Sequence, residues 1–315
     1  MEIKYHQINP SDKNNELKYL KYFYDNDYAI ISIETIDNEF DKFSCFSIDP
    51  QHGFGDSKKN SRITSIEYIF NYKDEILKKI DKRNKILMIT VKPDLDSLGS
   101  MALLTLIINN EFKIDGDLIL RLKAIAKSDR HGRSNWKNKQ EDFFFIREYT
   151  TYGIPCGLFF ITSSRNLTCD EKIKIITQYL LTGTFDDVEK YNKKAIKKIK
   201  KAKKKLKINI IIPKKLCLIE SRYRGALSYG YRYTPCVIAI NELFSFNIEN
   251  EQVYGKKITI AQYEDKYMDM EKILNDINEI ESGWGGSSVI IGSPIDRPST
   301  IDEKQLIDIC KKHIY

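Results

Sequence analysis

Two aspartates follow an apolar segment in a pattern suited to metal chemistry. Residues 86–91 are Ile-Leu-Met-Ile-Thr-Val, and Asp94 and Asp96 come shortly after them. Two carboxylates spaced i, i+2 at the carboxyl end of a parallel strand can bind one hard cation or bridge two, at the edge where open α/β sheets bind ligands. The alternative is that one of them only caps the following helix, while Gly99 allows close packing.

A second loop with metal-binding residue types follows another apolar segment. Asp49, His52 and Asp56 lie within a stretch that also holds one proline and two glycines. Carboxylate and imidazole are ligands for Mn²⁺, Mg²⁺ or Zn²⁺. Proline and glycine are equally typical of an ordinary turn, so this loop alone leaves both interpretations open.

A third group of chemically active residue types lies at the end of a predicted amphipathic helix. Asp129 and His131 are candidate metal ligands, and Arg130 and Arg133 are candidates for holding phosphate oxygens through their guanidinium forks. The alternative is a solvated helix end, where basic side chains interact favourably with the helix dipole.

A glycine-rich segment near the carboxyl end is typical of an anion-binding loop. Glycines let backbone N–H groups approach an anion, a serine adds a donor, and an indole ring can stack on a base. The segment consists of Gly283, Trp284, Gly285, Gly286 and Ser287. A tight turn around a packed tryptophan is the competing interpretation. Arg222 and Arg224, which follow another predicted strand, are phosphate-binding candidates or a plain surface pair.

The elements that must position these residues alternate in type. Strands predicted at 28–33, 43–48 and 86–91 alternate with helices at 63–80, 97–108 and 118–127, which favours crossover units and a mainly parallel sheet. A helix at 170–181 is followed by a glycine stop signal. Further strands are predicted at 208–212, 216–219, 236–240, 258–261 and 289–291, with helices at 268–280 and 302–312.

We therefore predict an α/β protein with three parts. These are a metal-binding domain at 1–185 with helices flanking its sheet, a lysine-rich connector helix at 186–207, and a smaller α/β substrate domain at 208–315. The formal net charge is +7, and ten lysines lie between Lys193 and Lys207. This run is explained by a solvated connector or, as a weaker alternative, by contact with nucleic acid.

Composition narrows the class of protein. The amino terminus has no apolar signal region, and no apolar run approaches the roughly 18 residues of a membrane span. The six cysteines are scattered without a CxxC pair, which is typical of reduced, buried thiols and indicates neither a disulfide framework nor a zinc site. We expect a cytoplasmic protein without a membrane partner.

With these motifs assembled, the chain resembles the DHH phosphoesterase superfamily with its DHH-associated carboxyl-terminal domain. Residues 92–100, Lys-Pro-Asp-Leu-Asp-Ser-Leu-Gly-Ser, match the family's first metal motif, and residues 283–286 match in type its glycine-rich substrate loop. The similarity runs from about Lys85 to the end. Thr90 stands where the family has a histidine, and Asp129-Arg130-His131 is the nearest match to its Asp-His-His signature.

The resemblance implies a phosphoesterase that uses one or two Mn²⁺ or Mg²⁺ ions on a small nucleotide, cyclic dinucleotide or short oligonucleotide. Asp49, His52, Asp94, Asp96 and Asp129 would bind metal, with His52 supplying the imidazole that Thr90 lacks. His131 would be a further ligand or the acid that protonates the leaving group. Arg130, Arg133, Arg222, Arg224 and the glycine-rich loop would hold substrate.

Two alternatives remain at this stage. The first is a nucleotide-binding or sensor protein of the same fold that has lost hydrolysis, since the family histidines are missing. The second concerns the oligomeric state, for which both a homodimer and a monomer remain open. No stable duplex DNA partner is expected.

Overall fold

The fold is taken from a computed structural model. It describes residues 1–35, 38–50, 54–55, 63–80, 84–91, 93–111, 113–132, 134, 136, 149–150, 152–222, 225–248 and 251–315. These residues divide into two units by their contacts. The first unit holds the described residues of 1–130 and 148–195, and the second unit those of 131–147 and 196–315. Within the described ranges, no helix is both long and apolar enough to cross a membrane.

The first unit is built on a mainly parallel sheet. Four parallel strands lie in the order β1-β5-β2-β3, and the two-residue β4 pairs antiparallel with β3 at the edge. Their bounds are β1 Glu2–Gln7, β2 Ala29–Ile33, β3 Phe46–Asp49, β4 Phe54–Gly55 and β5 Lys85–Thr90. The central strands β2 and β5 are apolar along nearly their whole length because helices cover both of their faces.

Helices cover the two faces of this sheet. One face, with Ile31 and Met88, packs on the larger apolar core, and the other, with Ile30 and Leu87, packs on a smaller one that includes Leu20 and Phe23. The helices of this unit are α1 Lys13–Asp25, α2 Asn38–Asp41, α3 Ser65–Ile80, α4 Leu95–Ile108, α5 Gly116–His131, α6 Cys156–Thr162 and α7 Cys169–Thr182. The basic helix α8 Val188–Lys203 begins in this unit and ends in the second.

Glycine 99 brings three of these helices together. It lies in α4, and a Cβ added there would come within 3.2 Å of Ile66 Cδ1 in α3 and 3.4 Å of Ile125 Cδ1 in α5. A methyl group at this position would therefore crowd Ile66 and touch Ile125. The close packing inferred from the sequence for Gly99 is confirmed.

The second unit contains a six-stranded mixed sheet in the order β10-β11-β9-β8-β7-β6. The strands are β6 Lys207–Ile212, β7 Leu216–Glu220, β8 Cys236–Ile248, β9 Glu251–Gln262, β10 Gly285–Gly286 and β11 Ile290–Gly292. Its helices are α9 Ala226–Gly230, α10 Met270–Ile280 and α11 Glu303–Lys312. Apolar residues of α10 and α11, including Ile273 and Leu306, pack against one face of this sheet.

The predicted α/β class is confirmed, including the mainly parallel first sheet, the long basic helix and the second mixed sheet. The predicted stop after α7 is also confirmed, since Gly183 has φ +77° and its N–H donates to Tyr179 O at 2.8 Å. Several boundaries differ. The third strand begins at Phe46, later than predicted, and the basic helix predicted at 186–207 runs only from Val188 to Lys203. Its start is delayed because Asp187 has a left-handed φ of 59°.

A buried hydroxyl network fixes the carboxyl ends of β2 and β3. Asp41, at the end of α2, accepts hydrogen bonds from Ser32 Oγ, from Thr35 Oγ1 at 2.7 Å and from Ser47 Oγ at 2.8 Å. All three hydroxyl residues are buried. One carboxylate therefore satisfies groups from two neighbouring strands and holds α2 over their ends.

We predict that Asp41→Ala destabilises the first unit by about 2–4 kcal/mol, because buried hydroxyls that lose their acceptor each cost about 1–3 kcal/mol. Hydrogen exchange of the β2 and β3 amides measures this effect. Asp25→Ala is the matched control, since Asp25 forms an exposed ion pair with Lys21, and such pairs contribute about 1 kcal/mol or less. Equal protection in both variants would contradict the network's role.

Candidate active site

Acidic residues follow three neighbouring parallel strands of the first unit. Asp94 and Asp96 follow β5, Glu34 follows β2, and Asp49 ends β3. Backbone pairing continues past the strand ends, because Glu34 N–H donates to Ile48 O at 2.9 Å. Since these strands are parallel, their carboxyl ends meet at one edge of the sheet, where ligands bind in open α/β folds.

Asp94 is the N-cap of α4. Its Oδ1 accepts hydrogen bonds from Asp96 N at 3.1 Å and Ser97 N at 3.0 Å, and Ser97 Oγ accepts one from Asp94 N at 3.1 Å. This reciprocal arrangement is a capping box. The helix-cap interpretation of Asp94 is thus confirmed, and the cap also fixes the direction of its carboxylate.

Asp96 binds the start of a different helix. Its side chain is 1% exposed, and its carboxylate accepts hydrogen bonds from Ser65 N at 2.7 Å and Ile66 N at 3.2 Å. These are the first amides of α3, whose N-terminal end carries partial positive charge. Asp96 therefore joins α4 to α3 at the sheet edge.

Glu34 is a buried acid that sequence reasoning missed. Its backbone φ is +54°, which is uncommon outside glycine, and its Oε1 accepts a hydrogen bond from Ser65 Oγ at 2.8 Å. Burial, then the charges of Asp94, Asp96 and Asp129, raise the pKa of Glu34 well above its ordinary value. A hydrogen bond to Asp96 raises this pKa further, so Glu34 keeps its proton and uses it to donate a hydrogen bond to Asp96.

The same environment acts on Asp96. Burial and then the charge of Asp129 raise its pKa to about 8, although the hydrogen bond from Glu34 partly opposes this. Glu34, Asp94, Asp96 and Asp129 are therefore close enough to act on one another electrostatically, and we call them the acid cluster. The structure thus brings together three of the predicted catalytic residues and adds a fourth acid.

Arg130 does not present an open guanidinium fork. Its two terminal nitrogens donate to Glu67 at 2.5 and 3.1 Å, and Thr64 N also donates to that carboxylate at 3.0 Å. Burial opposes ionisation of Glu67, yet the hydrogen bonds from Arg130 and Thr64 leave its pKa below the ordinary value. The pair therefore fixes α5 to the beginning of α3.

The other candidate residues occupy varied positions. Asp49 is 1% exposed at the end of β3, and Arg222 is exposed after β7. His131 belongs to the second unit, where its ring stacks on Tyr263 with centroids 4.1 Å apart. The candidates outside the described residues are His52, Asp56, Arg133 and Arg224.

The glycine-rich segment forms a turn and a short edge strand. Gly286 has φ +149°, and a Cβ there would lie 2.1 Å from Ile290 O, so only glycine fits. Gly283 has φ +93°, whereas Gly285 has open space beside it and Ser287 N donates to Ile290 O at 2.7 Å. The turn interpretation is confirmed by these contacts.

Trp284 lies in the core of the second unit. It is 5% exposed, and its indole N–H donates to Glu281 at 2.7 Å. The same carboxylate accepts hydrogen bonds from Ser299 Oγ at 2.6 Å and from Thr300 N at 2.5 Å. The ring is therefore buried in the core beside the turn. The predicted role of Trp284 in stacking on a base is wrong, because the buried ring has no exposed face.

The acid cluster fits a hard divalent cation in donor chemistry, because its donors are carboxylate oxygens. The arrangement of these donors, however, does not form a complete metal site. Within the described part of the chain, no group of three or more His, Cys, Asp or Glu side chains is arranged around one point as metal ligands.

The raised pKa values make stability depend on pH. Because Glu34 and Asp96 hold protons in the folded state that the unfolded chain releases near pH 4, unfolding free energy should fall as pH rises from about 4 to about 8. Glu34→Gln should make this fall smaller by more than about 1 kcal/mol, since one pKa unit corresponds to about 1.4 kcal/mol. Urea denaturation in EDTA at pH 5 and pH 8 measures it, with exposed Glu75→Gln as control. Parallel profiles for Glu34→Gln and wild type would contradict this assignment.

For the second unit, we expect Glu281→Ala to lower the free energy of unfolding by about 3 kcal/mol or more, because several buried donors lose a charged acceptor. Although burial opposes it, hydrogen bonds led by Ser299 lower the pKa of Glu281. Its contribution is therefore present above about pH 4.5 and is lost in acid. Urea denaturation monitored by tryptophan fluorescence tests this, with exposed Glu279→Ala as control. A loss no larger than that of the control would count against the role of Glu281.

Comparison with known proteins adds no family assignment. No protein-family model matches the chain, and no curated protein matches it at a significant level. The resemblance to DHH phosphoesterases therefore rests on the residues at 92–100 and 283–286 alone. Function is accordingly argued from the geometry of the acid cluster.

Proposed function

We propose that the first unit hydrolyses a phosphoester in a small nucleotide, cyclic dinucleotide or short oligonucleotide, using Mn²⁺ or Mg²⁺. The observation that carries this proposal is the acid cluster itself. Four carboxyl groups from three segments lie near one another at the carboxyl edge of a parallel sheet, and two of them are buried strongly enough to raise their pKa. Such perturbed acids are typical of functional sites.

Two residues of the cluster are suited to hold the cation directly, since Asp94 is partly exposed and Asp129 is exposed. The carboxylate of Asp96 is fixed by the amides of α3 and would add negative charge beside Asp94 and Asp129. A bound cation would lower the pKa of a water molecule and polarise a phosphoryl oxygen.

Glu34 is proposed as a positioning residue. It donates a hydrogen bond to Asp96 and accepts one from Ser65 Oγ, so it fixes the orientation of the Asp96 carboxylate. Preorganised groups of this kind lower the barrier because they need no rearrangement during the reaction. A neutral residue that can still donate should therefore replace Glu34 with little loss of activity.

A nucleotide-binding protein without hydrolysis is the second candidate. Thr90 is fully buried at the position where the similar family has a histidine, and Glu67 occupies the guanidinium fork of Arg130. Both observations remove groups that would assist the reaction. This candidate keeps nucleotide binding and loses turnover.

The test uses the full chain with 5′-phosphorylated short oligonucleotides, mononucleotides and cyclic dinucleotides, in Mn²⁺, Mg²⁺ or EDTA. We expect turnover only with the cation. Asp94→Asn should reduce it about 100-fold or more, because about 2.7 kcal/mol of lost stabilisation is a factor of 100. Asparagine is also a good N-cap, so α4 should remain intact. Glu34→Gln should retain activity within about tenfold, whereas Glu34→Ala should lose more.

Asp74→Asn is the matched control, since the Asp74 side chain is 80% exposed on α3. If Asp94→Asn is as active as this control, the acid cluster is not the site. If the wild type turns over no substrate, yet binds nucleotide equally well with the cation and in EDTA, the second candidate replaces the first.

A further inference from the structure

The basic helix α8 carries a one-sided array of lysines that the proposed hydrolysis does not use. At about 100° per residue, six lysines fall on one side of α8, opposite the buried Ala195 and Ile199. All six are exposed, and we call them the lysine ridge: Lys190, Lys193, Lys194, Lys197, Lys200 and Lys201.

The ridge is not balanced by acids. The chain has 44 acidic residues against 51 lysines and arginines, yet every charged residue from Lys190 to Lys207 is a lysine. Lys190 pairs with Asp187 at the start of the helix. Among the described residues, no ion pair forms at Lys193, Lys197 or Lys201. A helix that only faced solvent would gain from interspersed glutamates, yet the only glutamate of α8 is Glu189 in its first turn.

Maintaining the ridge costs stability. Lys193 and Lys197 are four residues apart on the helix, as are Lys197 and Lys201. Like charges at this spacing destabilise a helix. A bound polyanion would remove this repulsion, because each lysine would then face a negative group.

The surroundings of the ridge favour nucleic acid over a membrane. A helix that binds an anionic membrane must insert an apolar face into it. The apolar face of α8 is already packed inside the protein, with Ala195 and Ile199 each 4% exposed. Lysine ammonium groups bind phosphates as point charges, without the planar geometry that reads base edges.

We propose that the lysine ridge of α8 binds the phosphate backbone of a nucleic acid strand without regard to base sequence. About two lysines per helical turn give a row of cations along roughly three turns of helix. Each lysine that neutralises a phosphate releases a counterion, so binding must weaken steeply as salt rises. This proposal does not depend on the proposed hydrolysis.

The experiment measures fluorescence anisotropy of a labelled 20-nucleotide single strand of mixed sequence, with a duplex of the same sequence in a second arm. EDTA is present so that hydrolysis cannot contribute. If five lysines engage phosphates, log K should fall with log[KCl] at a slope of about −3.5 for the single strand, or about −4.5 for the duplex. The two arms distinguish which form supplies the phosphates.

The test variant is the triple change Lys193→Gln, Lys197→Gln and Lys201→Gln. Glutamine keeps helix propensity, so α8 should still form, and circular dichroism checks this. We expect the single-strand slope to become shallower by about 2 and affinity at 50 mM KCl to fall about tenfold or more. The matched control removes three lysines of the second unit that pair with nearby acids, namely Lys266→Gln, Lys272→Gln and Lys311→Gln.

Wild-type affinity in the control and weakened binding in the ridge variant would support the proposal. It is overturned if the wild type binds neither strand nor duplex, or if the ridge variant binds as the wild type does. It is also overturned if the control weakens binding equally, since net charge alone would then explain the effect. Binding to phosphatidylserine vesicles in place of nucleic acid would replace it with a membrane surface.

Discussion

The hydrogen bonds from the α3 amides to the Asp96 carboxylate are the interaction on which the first unit's edge depends. A buried carboxylate is costly unless it is paired or hydrogen-bonded. Here the first amides of α3 supply that compensation at 2.7 and 3.2 Å. The consequence is that one aspartate orients two helices at once, since α4 carries it and α3 is bound by it. The acid cluster inherits its geometry from this contact.

The cluster is also an unfavourable arrangement of like charges. Burial at Glu34 and Asp96 opposes ionisation, and each neighbouring carboxylate adds to that effect. The fold accommodates this because Glu34 and Asp96 both keep protons to higher pH than usual and because the helix amides of α3 donate to Asp96. An arrangement of this cost is hard to explain by stability alone, because uncharged residues of similar size would pack there without it.

The sequence reveals the strand before Asp94 because six consecutive residues there are apolar or β-branched, and Gly99 marks close helix packing. It also predicts that Asp94 or Asp96 caps the following helix, without deciding between the two. The sequence does not indicate that Glu34 belongs to the site, because a single glutamate after an apolar strand resembles any surface acid. Its importance comes from a left-handed backbone and from neighbours over 30 residues away in sequence.

Other differences have similar causes. Trp284 and Arg130 look like ligand-binding side chains in the sequence, yet Glu281 and Glu67 engage them through tertiary contacts that spacing alone does not reveal. The strand β1 was not predicted, since its residues are only exposed or half-buried and include four charged or polar side chains, Glu2, Lys4, His6 and Gln7, that mask the pattern. Without knowledge of its pairing with β5, the segment resembles a polar chain terminus.

The missing side chain at position 99 sets a distance that the acids themselves do not control. Asp96 lies three residues before Gly99 on α4, and Asp129 lies four residues after Ile125 on α5. Since Ile125 Cδ1 lies only 3.4 Å from where a Cβ of residue 99 would be, the absent side chain lets α5 pack closely beside α4. The glycine thus contributes to the separation of the two segments that carry these carboxylates.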